Sequence, residues 1–168
     1  MIVATERLIL REIFAADADF ILNLLNQPSF IRYIGDRGVK NRDDARRYIE
    51  NRFAQSYRKF GFGLYAVARK TDETPLGICG FVKRDALPAP DIGFAFLPEF
   101  WSQGYAFEAA RAALDYGKNV LKFENVLAIT SKDNEISGKL LEKLGFEFQR
   151  TTKLSDAEDA VKLFSINL

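Results

Sequence analysis

Apolar and polar positions change their period several times along these 168 residues, and each change marks an expected element. Residues 8–13 (LILREI) have the β-branched and apolar character of a first strand. Asp17 then stands where an N-cap belongs, before a helix carrying Phe20, Ile21, Leu24 and Leu25 and ended near Pro28. Residues 29–40 read as a loop with Gly35 and Gly38, and Tyr33 and Asp36 fall within it. Asn41 is placed to cap a second helix whose apolar residues Ala45, Tyr48, Ile49, Phe53 and Tyr57 keep helical spacing, with Gly61 as its stop.

From there the period shortens to that of strands. Residues 62–69 and 75–83 read as a hairpin around Asp72-Glu73-Thr74, and 84–90 as an exposed connection with two prolines. An apolar run, Ile92 to Leu97, is stopped by Pro98, which cannot donate to a sheet ladder. A short turn and Gly104 lead into an alanine-rich helix reaching about Val120. Residues 126–130 (VLAIT) read as a buried strand. Asn134 caps a helix carrying Ile136, Leu140, Leu141 and Leu144 and ended by Gly145. Two strands, 147–153 and 160–166, close the chain around the acidic turn 155–159.

The order is β α α β β β α β α β β. Strands separated by helices in the second half imply parallel pairing, while the hairpins imply antiparallel pairing. The expected fold is a mixed α/β (α+β) one: a twisted sheet of about seven strands flanked on both faces by about four helices, residues 1–168 forming one domain.

Composition narrows the chemistry. Lys plus Arg number 24 against 23 Asp plus Glu, so the net charge of +1 gives no field for nucleic acid or an anionic membrane. No apolar run nears the ~20 residues of a membrane span, and the charged start is not that of a signal peptide, so a cytoplasmic location is expected. The single cysteine, Cys79, lies in an apolar strand and reads as core. There is no histidine, which excludes Ser-His-Asp and Cys-His nucleophile systems and the usual zinc sites; no metal is expected.

The strand, turn and helix from Asp91 to Leu114 carry the most chemistry. Unpaired N–H groups at such a helix start, with their partial positive charge, form an anion site. A pyrophosphate is the anion assigned here. Gly104 lets a backbone approach it, and the amides from Gln103 to Ala106 cradle it.

The sequence WSQGYAFEA at 101–109 resembles the Q/R-x-x-G-x-G/A pattern of the GNAT superfamily of acetyl-CoA-dependent N-acetyltransferases. Gly104 and Ala106 match; Trp101 replaces the Gln/Arg, as is common in the RimJ/RimL-like subgroup that acetylates ribosomal-protein N-termini. Three further stretches are similar to the family: TERLILR at 5–11 to the subgroup's opening strand, DIGFAFL at 91–97 to its splayed central strand, and NEIS at 134–137 with LGF at 144–146 to its N-x-x-S segment.

The resemblance implies acetyl-CoA as cosubstrate, held by Phe96, Leu97, Trp101, Ser102, Gln103, Gly104, Tyr105, Ala106 and Asn134. The backbone near Phe96 and Leu97 would pair with the pantetheine amides at a bulge, as an added strand does. Asn134 would contact the pantetheine arm, and Ser137 would lie near the sulfur. Many family members place a tyrosine near this helix as general acid. The seventh residue after Asn134 is Leu141, so Ser137 or a water must serve. Asp91 and Glu108 are the candidate bases, although the helix dipole alone accounts for Glu108.

The reaction implied is direct acetyl transfer to a primary amine with no covalent enzyme intermediate. The acceptor is a peptide N-terminus or a small amine such as a polyamine, amino sugar or drug, met by the loop holding Tyr33 and Asp36. The enzyme would act as monomer or homodimer. The rival from another class is a non-catalytic domain that keeps the CoA site for sensing or assembly.

Overall fold

Eight strands pair into one sheet in the computed structural model, which describes residues 1–168. They are β1 (Val3–Ala4), β2 (Leu8–Arg11), β3 (Leu64–Arg69), β4 (Pro75–Val82), β5 (Asp91–Phe96), β6 (Asn125–Ser131), β7 (Glu147–Thr152) and β8 (Val161–Asn167). Their spatial order is β1-β2-β3-β4-β5-β6-β8-β7. Every neighbouring pair is antiparallel except β5 and β6, which run parallel and meet at the single bridge Asp91↔Leu127. The expected mixed sheet is therefore present, with its one parallel junction in the middle. A two-residue strand, β1, was too short to show as a periodicity.

The helices are α1 (Ala18–Leu25), α2 (Pro28–Tyr33), α3 (Arg42–Tyr48), α4 (Gln55–Phe60), α5 (Tyr105–Asn119) and α6 (Glu135–Leu144). A π-helical stretch, Ile49–Ala54, joins α3 to α4 as one rod. The cause is readable in the spacing. Ala45, Ile49 and Phe53 are buried at steps of four, and each such step on an ordinary α-helix drifts about 40° off the face. The wider π turn holds them over the sheet.

Two expectations at the start of the chain need correction. Pro28 does not simply end a helix: α1 stops at Leu25, and Pro28 opens α2 at its first turn, where the missing N–H is harmless. Tyr33 thus ends a helix instead of lying in a loop. Asp17 does not cap α1. It ends a 3₁₀ turn, accepts the Phe14 amide at 2.8 Å and takes a two-pronged pair from Arg11 at 2.9 Å. By contrast Asn41 caps α3 as expected, accepting the Asp44 amide at 2.8 Å.

Both faces of the sheet are covered. Tyr65, Val67, Cys79, Phe81, Ile92 and Phe96 pack toward α5 and α6, while Ala66, Ile78 and Leu97 pack toward α1–α4. Gly117 of α5 has no room for a side chain, because a Cβ there would stand 2.9 Å from the Phe81 ring. Full burial pushes the Cys79 thiol up to about 12, which makes it core material and not a nucleophile. The connection before β5 is only partly exposed: Leu87 is buried against Leu127 and Leu163. On α6, Ile136 is 72% exposed and does not join the packing face. No helix is long and apolar enough to cross a membrane.

Candidate active site

Past the Asp91↔Leu127 bridge, β5 and β6 no longer pair, and a wedge opens between them toward their C-terminal ends. The register irregularities of the sheet lie in β3/β4 and β7/β8, so the wedge arises from splaying and not from a bulge in β5. Antiparallel alternation decides which backbone groups face it. Leu97 donates its amide to the Leu76 carbonyl at 2.9 Å, and Ala95, Gly93 and Asp91 share that parity in the β4 ladder. The main-chain groups of Ile92, Phe94 and Phe96 therefore turn toward β6. Leu97 is thus committed to β4, contrary to expectation, and the Phe96 carbonyl accepts Trp101 Nε1–H at 2.9 Å. The groups left facing the wedge are the Phe94 N–H and C=O and the Phe96 N–H.

At the mouth of the wedge stands the start of α5. A 3₁₀ turn, Pro98–Phe100, follows β5, and the Trp101 indole ties it back to the strand. Ser102 and Gly104 are both left-handed, with φ of 60° and 81°, on either side of Gln103. A serine in that region is strained, and alternating conformations of this kind turn successive amides inward as an anion nest. No side chain caps α5, whereas Asn41 caps α3 and Asn134 caps α6 by accepting the Ser137 amide at 3.2 Å. The longest helix in the chain is left with its first N–H groups open. Trp101, Ser102, Gln103 and Gly104 are exposed, Ala106 is half-buried and Tyr105 is buried.

The structure adds a residue that the sequence did not point to. Arg7, just before β2, donates from Nη1 to the Gln103 carbonyl at 2.9 Å and lies 4.5 Å above the Tyr105 ring. A Cβ on Gly104 would stand 3.2 Å from its Nη2. A guanidinium therefore borders the open helix start, brought there by sheet topology from 96 residues away. Nothing local to Arg7 announces this.

Arg7 also removes Glu108 from the list of bases. Its Nε pairs with Glu108 Oε2 at 2.7 Å, while Oε1 accepts the Arg7 amide at 3.0 Å and the Thr5 hydroxyl at 2.5 Å. Partial burial pushes the Glu108 carboxyl up, but these donors outweigh it and hold the group below its ordinary value. Glu108 is a staple between the N-terminal strands and α5.

Asp91 differs in every respect. It is 1% exposed, not a surface group, and its carboxylate meets Arg84 Nε at 3.0 Å. Burial pushes it up to about 6 despite that partner. It sits at the bridge from which the wedge opens, on the opposite face of β5 from Phe94. Across the wedge, α6 follows β6. Asn134 uses Oδ1 as the cap and keeps its amide N–H groups for another partner; Ser137 is half-buried one turn in. Thr130 of β6 is 7% exposed, and its hydroxyl has no hydrogen-bond partner.

Asp36 stands apart from these groups. It accepts the Gly38 amide at 2.8 Å and Lys40 Nζ at 3.3 Å, and those bonds hold its carboxyl below the usual range. Tyr33 is half-buried at the end of α2. Its neighbour Arg32 reaches across to Asp133, next to Asn134, at 3.2 Å.

An open helix start beside a guanidinium, continuing into an unpaired wedge of sheet, suits a long ligand with an anionic end and an amide-bearing arm. Those residues fit acetyl-CoA: the nest would take the pyrophosphate, and the Phe94 and Phe96 backbone would take the arm. This defines a class of acyl-carrier-binding α/β proteins.

The sequence profile of the acetyltransferase (GNAT) domain family matches residues 7–147, and the chain belongs to that family; it is an acyltransferase of the GNAT type. The uncharacterized N-acetyltransferase YoaA of Bacillus subtilis (strain 168) is 30% identical over 147 residues, 87% of this chain and 82% of that protein. Among solved structures, RimL, a ribosomal L7/L12 alpha-N-protein acetyltransferase in complex with coenzyme A, superposes with a TM-score of 0.85 at 16% identity, covering 99% of this chain and 97% of that one. A spermidine N-acetyltransferase mutant, SpeG from Vibrio cholerae, gives 0.75 at 18% identity, covering 97% and 95%. These two structures share the fold with this chain.

Proposed function

We propose that this enzyme transfers the acetyl group of acetyl-CoA directly to the N-terminal amine of a polypeptide. The observation that supports it most is the uncapped, Arg7-bordered start of α5 at the mouth of the β5–β6 wedge. Gln103 to Ala106 would hold the pyrophosphate, with Arg7 offsetting its charge. Phe94 and Phe96 would pair with the arm through their backbones, and the Asn134 amide would meet it from the other side.

The attacking amine forms the new N–C bond as the C–S bond breaks. Its proton leaves to a base, and the departing thiolate takes one from Ser137 or water. With Glu108 committed to Arg7, Asp91 acting through water is the base this reading retains. Its displacement toward neutrality suits that task, although Arg84 holds it. A backbone N–H facing the wedge would stabilise the oxyanion.

Charge on the acceptor side supports a singly charged peptide terminus over a polyamine. Three carboxylates around the 33–40 loop are already paired: Asp36 with Lys40, Asp44 with Arg47, and Asp133 with Arg32. A polycation would have to displace those cations. The test is thiol release from acetyl-CoA against a panel of N-terminal peptides and polyamines. A kcat/KM at least tenfold higher for some peptide is expected. Preference for spermidine would overturn the acceptor, and acetyl-CoA binding with no turnover on any acceptor would favour a sensing domain.

A further inference from the structure

The Thr130 hydroxyl is an unsatisfied buried polar group, and such groups are scarce because the lost hydration is not replaced. Its position in the sheet explains what it lacks. Thr130 lies three residues beyond Leu127 on β6, and Phe94 lies three beyond Asp91 on β5. Parallel strands advance together, so Thr130 and Phe94 stand level on the two walls of the wedge.

They also share a face. Val126 and Ala128 of β6 and Ile92 of β5 belong to the core beneath α5 and α6, Phe94 packs against it, and alternation puts Thr130 on that side. Its cross-strand partner on β8 is Lys162, and its hydroxyl makes no hydrogen bond to that residue or any other. On the other side the sheet partner is missing, because β5 has turned away.

We propose that the Thr130 hydroxyl is a binding contact for the amide-bearing arm of the acyl carrier, completing from β6 the pairing that the Phe94 backbone offers from β5. This rests on the acetyl-CoA reading of the wedge. A hydroxyl both donates and accepts, so it can meet either an amide N–H or a carbonyl of the arm. Without the arm it stays unsatisfied, which a threonine retained for packing alone would not be.

The test compares wild type, Thr130→Val and Thr130→Ser by calorimetry with acetyl-CoA, CoA and adenosine 3′,5′-bisphosphate, which keeps the 3′-phosphate and one phosphate of the pyrophosphate but no arm. Thr130→Val keeps the shape and replaces the hydroxyl with a methyl. It should bind acetyl-CoA and CoA about tenfold more weakly, the ~1.4 kcal/mol of one net hydrogen bond. It should bind the bisphosphate as wild type does and melt, ligand-free, no lower than wild type. Thr130→Ser should recover most of the lost affinity. Undiminished affinity in Thr130→Val overturns the proposal. So does an equal loss for the bisphosphate, or a variant that fails to fold, since either gives the hydroxyl a structural role. Wild type that binds no acetyl-CoA at all sinks the parent reading, and the proposal with it.

Discussion

The two ends of β5 are five residues apart and obey opposite rules. At Asp91 the strand is sealed: it is paired on both edges, it bridges to Leu127, and its carboxylate is buried against Arg84. At Phe96 it has parted from β6, its carbonyl is held only by an indole, and it leads through a short turn to a helix start whose amides are open. One end holds the two halves of the sheet together, and the other leaves donors for a ligand. The difference teaches that a sheet can be continuous in fold and discontinuous in pairing. The proposed site lies where the pairing stops.

The largest expected effect breaks the open end. Gly104→Glu puts a carboxylate and a Cβ into a left-handed position beside Arg7, and acetyl-CoA affinity should fall at least a hundredfold by calorimetry. Survival of micromolar binding would show that the α5 start is not the anion site.

A smaller effect is expected from Arg7→Ala, which leaves the nest but removes its bordering cation. Affinity should drop about tenfold, with a weaker dependence on salt than in wild type. An unchanged salt dependence would confine Arg7 to stapling Glu108.

The closed end is sharpened by Asp91→Asn. Burial raises the carboxyl from 3.8 to about 6, so the folded protein holds this proton more tightly than the unfolded chain does. Its contribution to stability is fully present below about pH 4 and is lost as pH rises through about 6, an effect of about 3 kcal/mol. Denaturant unfolding of wild type should show that decline between pH 4 and 6, and Asp91→Asn should lack it. If Asp91 is also the base, the acid limb of kcat/KM near pH 6 disappears in the same variant.

The smallest expected effect is a control at a capped helix. Asn41→Ala should lower stability by about 1 kcal/mol and leave acetyl-CoA affinity untouched.

How much of this could be read from the chain depended on how local its cause was. The turn before α5 was readable because Pro98, Gly104 and the alanine-rich run lie within a few residues of each other. The caps at Asn41 and Asn134 were readable for the same reason. Which residues of β5 present their backbone to the wedge was not. That parity is set by the register with β4, through Leu76 and Leu97, and no property of β5 itself records it. Arg7 was hidden by the length of chain between it and Gln103, and α2 by reading Pro28 only as a stop signal. The state of Asp91 depended on burial by a folded sheet, which the residues beside it in the chain do not record.

The single bridge between β5 and β6 also bears on the life of the protein before and between turnovers. An unpaired strand edge usually lies at the rim of a sheet, where short strands or charges guard it. Here two such edges lie in the middle of the chain's only sheet and are flanked by Phe94 and Phe96. As the chain emerges N-terminus first, the β2–β5 meander can assemble with that edge bare until α5 and β6 follow. In the finished protein any ligand that fills the wedge supplies the missing strand. Its concentration then sets resistance to aggregation and proteolysis by mass action, alongside the rate of reaction.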